Sequence, residues 1–448
     1  MTDVDSVRAA VARELPRALA DLEALVRIPS VSLLPDRAGE VARSAEAVAE
    51  LVRGLGWDDV RVVAEGGRPA VLARRPAPPG APTVTLYAHH DVQPEGARRA
   101  WASEPFELTE RGGRLYGRGA VDDKGAIAVH LAALRALGDD LAVGVTLFVE
   151  GEEEVGSPTM DAFLAAHHYE LAADAFVLLD SGNWEVGRPA VTSSLRGLAD
   201  VEVELATLDH GLHSGQYGGV VPDAVTALCR LLATLWDADG SVAVAGLAPA
   251  ASVADLEYPD DRLRAETGLL DGVSLIGRGS VVQRLWAQPA VTVIGPDAPP
   301  VAGASNTLAP RARAKVSLRL PPGQDAPAAL DALKRHLSEH APFGARVSFG
   351  DEHAAGGCVL RFDNAYAEAA LGALRDAWGV EPVHLGMGGS IPLAGQLTTR
   401  YPDAAVLLTG IVDPDSRMHG LDESVDLGDF EKAAVAEALL LRRLAAQG

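Results

Sequence analysis

His89, Asp122, Glu154, Asp180 and His419 each close a short apolar run or stand in the turn or loop that follows one. Together they offer imidazole nitrogen and carboxylate oxygen, and no thiolate. That set of donors suits zinc, manganese or cobalt. A carboxylate has two oxygens, so Asp122 could serve two cations at once. Glu152, Glu153 and Glu154 follow almost directly on Val145-Thr146-Leu147-Phe148-Val149. Three carboxylates gathered at a strand end repel one another. A cation removes that penalty, and a proton shared among them makes one a base of raised pKa. His89 and Asp91 are two residues apart on a strand and point the same way. Asp91 can therefore steady the imidazole while the other ring nitrogen meets a metal. His90 faces the opposite side and reads as structural.

Each signal also has an ordinary explanation. His-x-Asp is common at strand ends. Asp123 can cap the helix that starts at Lys124. A glutamate run often opens a solvated helix, where it favours the dipole. Asp180 ends a strand, and His419 is a lone loop histidine. The glycines at 117, 119 and 125 lack the Gly-Lys-Ser/Thr ending of a phosphate loop. Ser214, in His213-Ser214-Gly215, lacks the nucleophile elbow of a serine hydrolase.

The elements that carry these residues decide between the readings. Val4, Val7, Val11, Leu15, Leu19, Leu22 and Val26 recur at helical spacing, as do apolar residues over 41–55 and 124–137. Segments 60–63 and 70–73 read as paired strands. Segments 83–87, 143–149, 175–179 and 404–408 are continuous apolar strands. Alternation of such strands with helices implies a largely parallel sheet covered on both faces. Sites in such sheets form beyond the carboxyl ends of the strands. Here four strands lead into metal-competent residues at that end. Segments 198–205 and 313–320 instead alternate with period two, as half-exposed antiparallel strands do. Helical patterns run over 224–235 and 328–340. The expected fold is thus α/β, a mostly parallel catalytic domain (1–187 and 355–448) with an inserted α+β domain (188–354).

The chain has 448 residues, 48% of them apolar, which is enough for two cores. Its formal charge of −23 argues against nucleic acid or an anionic membrane as partner. No window carries about 18 consecutive apolar residues, so no membrane span is expected. The two cysteines, Cys229 and Cys358, are far apart and unpatterned, which points to a reducing, cytoplasmic setting.

Taken jointly, the motifs resemble the M20 metallopeptidase family, and within it the dipeptidase branch of carnosinase-like and cysteinylglycine-dipeptidase-like enzymes. The resemblance is carried by Tyr-Ala-His-His-Asp-Val-Gln-Pro at 87–94 and by Trp101 with Pro105-Phe106. It continues in Leu-Tyr-Gly-Arg-Gly-Ala-Val-Asp-Asp-Lys-Gly at 115–125, Glu-Glu-Glu-Val-Gly-Ser at 152–157 and Leu-His-Ser-Gly-Gln-Tyr-Gly-Gly at 212–219. It closes with Gly-Gly-Ser-Ile-Pro at 388–392.

The resemblance implies two divalent metal ions, zinc first, with manganese or cobalt as alternatives. His89 and Asp180 would hold one, Glu154 and His419 the other, and Asp122 would bridge. Asp91 would orient His89. Glu153 would act as general base on a water shared by the ions, cleaving the peptide bond of a dipeptide or very short peptide. A cis peptide is implied between Asp122 and Asp123. The inserted domain would be a lid and homodimer interface, with His213 reaching the scissile carbonyl from a partner subunit. Asn306, Arg319 and Ser390 would bind substrate, Arg319 by clamping its carboxylate. Gly386-Met387 stands where the branch commonly has Arg-Glu. The competing readings are removal of an acyl group from an amino acid, and a non-catalytic, metal-stabilised binding protein.

Overall fold

A computed structural model describes residues 3–250, 256–389 and 391–445. The chain forms two compact units. One comprises Met1–Ser193, Leu360–Leu385 and Pro392–Gly448; the other comprises Ser194–Val359 and Gly386–Ile391. The sequence reading places a single insertion at 188–354. The short return of 386–391 to the second unit carries no signal in hydrophobic periodicity.

The first unit is built on six strands in the order Asp59–Val63, Ala70–Arg75, Gly144–Glu150, Thr83–His89, Ala175–Gly182 and Ala405–Val412. The last four run parallel to one another, and the first two form an antiparallel edge. All seven residues of Gly144–Glu150 are buried, which is why the strand reads as an unbroken apolar run rather than an alternating one. Helices Asp3–Val26, Ala38–Arg53, Lys124–Leu137, Ala365–Trp378 and Leu427–Ala445 contribute their apolar residues to the core of this unit. Each fully buried leucine there, such as Leu22 or Leu131, adds roughly 1.5–3 kcal/mol.

Register aligns the chemistry. His89 pairs directly with Glu150, so two metal-competent segments emerge side by side. The helix at Lys124 starts immediately after Asp122 and Asp123. Its position is fixed by the buried Lys124 ammonium, which donates to the carbonyls of Leu25 (2.8 Å) and Ile28 (2.6 Å). The Leu25 carbonyl belongs to the last turn of the first helix, where a cation is favoured, and Ile28 lies just beyond it. Burial brings the Lys124 pKa down to about 7. The turn ahead needs glycine at 119, where φ is +83° and a Cβ would lie 2.8 Å from Val92.

The second unit carries a four-stranded antiparallel sheet in the order Ala290–Asp297, Arg311–Leu320, Gly197–Ala206 and Arg346–Ala355. Gly197–Ala206 alternates buried and half-buried residues along its whole length, as its period-two sequence predicts. Helices Ala224–Ala233 and Ala326–Glu339 share a core with this sheet. Each starts at an aspartate whose side chain accepts a backbone N–H, Asp223 from Thr226 and Asp325 from Ala328.

Candidate metal centre

Two groups of side chains in the first unit could each hold a metal ion. His89, Asp123 and Asp180 form one; Asp122, Glu154 and His419 form the other. Within each group the donor atoms all lie within 4.8 Å of one another. Asp122 also ties the groups together. Its Oδ1 lies 3.0 Å from His89 Nε2, and its Oδ2 lies 2.9 Å from His419 Nε2. One carboxylate thus presents one oxygen to each histidine. His89 Nε2 is also 3.9 Å from Glu153 Oε2 and 4.0 Å from Asp180 Oδ1. His419 Nε2 is 3.2 Å from Glu154 Oε2.

Asp91 does more than the strand geometry suggests. His89 Nδ1 donates to the backbone carbonyl of Asp91 at 3.0 Å, with the Asp91 carboxylate 3.5 Å away. That carboxylate accepts the backbone N–H groups of Glu153 (3.2 Å) and Glu154 (3.1 Å). Asp91 therefore fixes both the His89 ring and the glutamate turn. Of the three glutamates, Glu152 is fully engaged elsewhere, accepting from Arg68 N (3.0 Å) and Thr159 N (2.8 Å). Glu154 is held by Gln93, whose side-chain amide donates at 2.8 Å. Among the described residues, Glu153 is the one with no such anchor on its carboxylate. His90 turns away, its Nε2 donating to Pro69 O at 2.9 Å, and burial lowers its pKa to about 4.

Asp123 departs from the sequence reading. It does not cap the helix at Lys124 with its side chain. Its Oδ2 accepts the His89 backbone N–H at 3.0 Å, and its buried Oδ1 has no hydrogen-bond partner among the described residues. The Asp122–Asp123 peptide is cis. Two further residues carry no periodic signal in the sequence. The buried Glu423 accepts from the backbone N–H groups of Gly119 (3.0 Å), Val121 (3.1 Å) and Asp122 (3.2 Å). Its other oxygen meets Arg118 Nη1 at 2.5 Å, and Arg118 Nη2 donates to Gly420 O at 3.0 Å. The Asp122 turn and the His419 loop are thereby joined through one buried ion pair. Its only trace in the sequence is a glutamate four residues beyond His419.

The electrostatics suit cations. Burial pushes the Glu153 pKa up to about 7 and holds Asp180 well above the usual carboxylate range, with Glu153 adding to the second. Burial opposes the positive charge on His89, but hydrogen bonds to Asp122 and Asp91 outweigh it and raise its pKa. The Asp122 and Glu154 carboxylates raise His419 to about 10. Anionic oxygens crowded out of water, one of them without any partner, are what divalent cations relieve. The donor set and the unpartnered Asp123 oxygen therefore fit a pair of hard or borderline ions.

The second unit holds the other sequence candidates among the described residues. His213 pairs in register with Thr307, and Ser214 N donates to Asn306 O at 2.9 Å, so His213 and Asn306 are neighbours. The exposed His213 ring accepts the Gly215 N–H on Nδ1 at 3.1 Å. A neutral ring must then carry its proton on Nε2. Arg319 sits on Arg311–Leu320, paired with Leu198. Ser390 lies outside the described residues. A Cβ at Gly386 would fall 2.5 Å from Trp286, so the indole fills the space that a larger residue would need.

The chain is similar to known proteins along most of its length. The model of peptidase family M20/M25/M40 matches residues 85–443. The chain is 35% identical over 437 residues to a cysteinylglycine-S-conjugate dipeptidase from Corynebacterium striatum, covering 95% of each protein. It is 29% identical to the human beta-Ala-His dipeptidase, covering 81% of this chain and 75% of the relative. The solved structure of the dipeptidase Dug1p from Saccharomyces cerevisiae superposes with a TM-score of 0.85 at 24% identity, covering 99% of both chains, and so shares the fold. With the family model spanning most of the sequence and the 35%-identical relative matched over 95% of each protein, the chain belongs to peptidase family M20/M25/M40.

Proposed function

We propose that this chain is a dinuclear-metal dipeptidase, cleaving the peptide bond of dipeptides or very short peptides. The observation that carries the reading is the Asp122 carboxylate, whose two oxygens lie 3.0 and 2.9 Å from the Nε2 atoms of His89 and His419. Its relatives' names support the substrate class. His89 and Asp180 would hold one ion, Glu154 and His419 the other, and Asp122 both. Zinc is the first choice, with manganese or cobalt accepted by the same donors. Bound there, the ions would supply a polarised carbonyl and an acidified water.

The chain's own residues do the rest. Asp91 orients His89 and, through two backbone N–H groups, aims the turn that presents Glu153. Glu153 takes the proton of the attacking water and passes it to the leaving amine. Its carboxylate is free of the hydrogen bonds that hold Glu152 and Glu154 among the described residues, which leaves it available for that transfer. His213, with its proton on Nε2, donates to the carbonyl oxygen as negative charge builds there. In this reading it does so from the partner subunit of a homodimer formed through the second unit, which also serves as the lid. Asn306, Arg319 and Ser390 bind the substrate backbone and carboxylate. The two free cysteines favour a reducing, cytoplasmic setting. No described helix is long and apolar enough to cross a membrane.

The test is a panel of dipeptides and N-acyl amino acids assayed with added zinc, manganese or cobalt, and again with chelator. Chelator-sensitive cleavage of dipeptides in preference to acyl amino acids is expected. Preference for the acyl amino acids would move the chain to the deacylase reading.

A further inference from the structure

The first unit holds an apolar chamber between its sheet and two helices. Strands Ala175–Gly182 and Ala405–Val412 supply one wall, and helices Ala365–Trp378 and Leu427–Ala445 supply the other. The centre of a water-sized sphere can move through about 30 Å³ inside it. Extended by one water radius on every side, that is a chamber on the order of 150 Å³. The space exists because both helices face it with alanine. Ala370 and Ala373 come from one, Ala433 and Ala436 from the other, each pair one turn apart and buried. A larger side chain at any of the four would fill part of the gap. Leu179 lines the strand wall, and successive residues on a strand point to opposite faces. The chamber and Asp180 therefore lie on opposite sides of that strand.

One charged side chain stands in this wall. Glu437 is only 4% exposed. Its Oε2 meets His130 Nδ1 at 2.7 Å. Its Oε1 is out of contact with solvent and has no hydrogen-bond partner among the described residues. A buried acceptor left without a donor costs stability. The other polar side chains of the wall have already given their donors away. The Thr409 hydroxyl donates to Ala190 O at 2.8 Å, and Trp378 Nε1 donates to Asp429 Oδ1 at 2.9 Å. A water in the chamber would meet one strong acceptor and no free side-chain donor, whereas interior waters hold two to four polar partners. Dry, aliphatic chambers of this size take up small apolar molecules instead. The free oxygen adds one requirement, a donor on the ligand.

We propose that this chamber binds a small apolar molecule carrying a single O–H or N–H group, with its body against the four alanines and its donor on Glu437 Oε1. The site lies apart from the metal centre and does not depend on the dipeptidase reading. An apolar molecule without a donor would leave Oε1 unsatisfied and bind less tightly. An ion would lose its hydration to walls that are aliphatic apart from one oxygen.

The experiment is calorimetric titration of the full chain with phenol, and with benzene as its donor-free counterpart. It is run on wild type and on two variants that fill the chamber from different helices, Ala373→Leu and Ala436→Val. The second adds less volume and serves if leucine at 373 prevents folding. Phenol should bind the wild type at one site, and benzene roughly 10- to 100-fold more weakly, as expected for one hydrogen bond to a charged acceptor. Each filled variant that folds should weaken phenol by roughly 10-fold or more. A wild-type crystal soaked in phenol should show the ring between Ala373 and Ala436. Absence of phenol binding to the wild type would overturn the proposal. So would benzene binding as tightly as phenol, or phenol binding equally to wild type and a folded, filled variant.

Discussion

The Glu423 carboxylate accepts the backbone N–H of Asp122 at 3.2 Å, inside the same buried cluster that joins it to Arg118. The bridging candidate is therefore held by its main chain as well as by its side chain. Glu423 reaches it from the loop that carries His419. Removing Glu423 leaves Arg118 buried and unpaired and three N–H groups without an acceptor. Glu423→Ala should cost about 3–5 kcal/mol in denaturant unfolding. It should also weaken metal binding by roughly 10- to 100-fold, read by titration of the apoprotein. Glu423→Gln, which keeps one acceptor oxygen, should fall between. Unchanged affinity in both variants would show that the Asp122 turn holds its shape without this anchor.

In the proposed mechanism Glu153 separates metal binding from proton transfer. It has no part in either candidate group of donors, yet its Oε2 lies 3.9 Å from His89 Nε2. Glu153→Gln should keep both ions and lose roughly 100- to 10,000-fold in kcat. Elemental analysis and steady-state kinetics on the same preparation check it. Normal turnover with full metal content would remove Glu153 from the mechanism.

Beneath the centre, His130 makes stability depend on pH. Its Nδ1 meets Glu437 Oε2 at 2.7 Å and its Nε2 meets Tyr87 O at 3.1 Å. Both nitrogens face acceptors, so both donate and the ring is charged. Burial opposes that charge, and Glu437 outweighs burial, so the folded pKa is raised. The unfolded value is about 6.5. The contribution is thus complete below about pH 6.5 and is lost as pH climbs through the higher folded value. The stability gap between wild type and His130→Asn should narrow as pH rises above about 6.5 through the raised folded pKa, as measured by urea unfolding. A gap independent of pH would mean that the ring is neutral.

His419 is the most exposed donor of the centre, with half of its side chain open to solvent, and the residue has a φ of +61°. His89 is fully buried and braced by Asp91. Their replacement by alanine should differ accordingly. His419→Ala should lose one ion and unfold nearly as wild type does. His89→Ala should lose metal and also about 2–4 kcal/mol of stability, because it empties a buried site and strips partners from Asp122. Equal destabilisation by both would contradict the distinction.

The parallel sheet was legible because its strands are buried on both faces and so read as unbroken apolar runs, as Gly144–Glu150 does. The period-two strand Gly197–Ala206 was legible for the opposite reason. The metal-competent residues stood out because charged groups rarely follow such runs without a purpose. Other features were hidden. Asp123 sits where a helix cap is expected, and only the local backbone turns it toward His89. Glu423 and Arg196 fall in no periodic pattern, and their partners lie 301–305 and 192 residues away. The return of 386–391 to the second unit is a matter of topology, which periodicity does not encode.

Elemental analysis of the purified chain, run beside an Asp122→Asn variant, tests the central claim most directly. Two divalent ions per wild-type chain are expected, with fewer than one in the variant and dipeptide cleavage lost in parallel. A wild type that binds at most one ion, or that cleaves dipeptides undiminished in excess chelator, would contradict a two-metal centre bridged by Asp122.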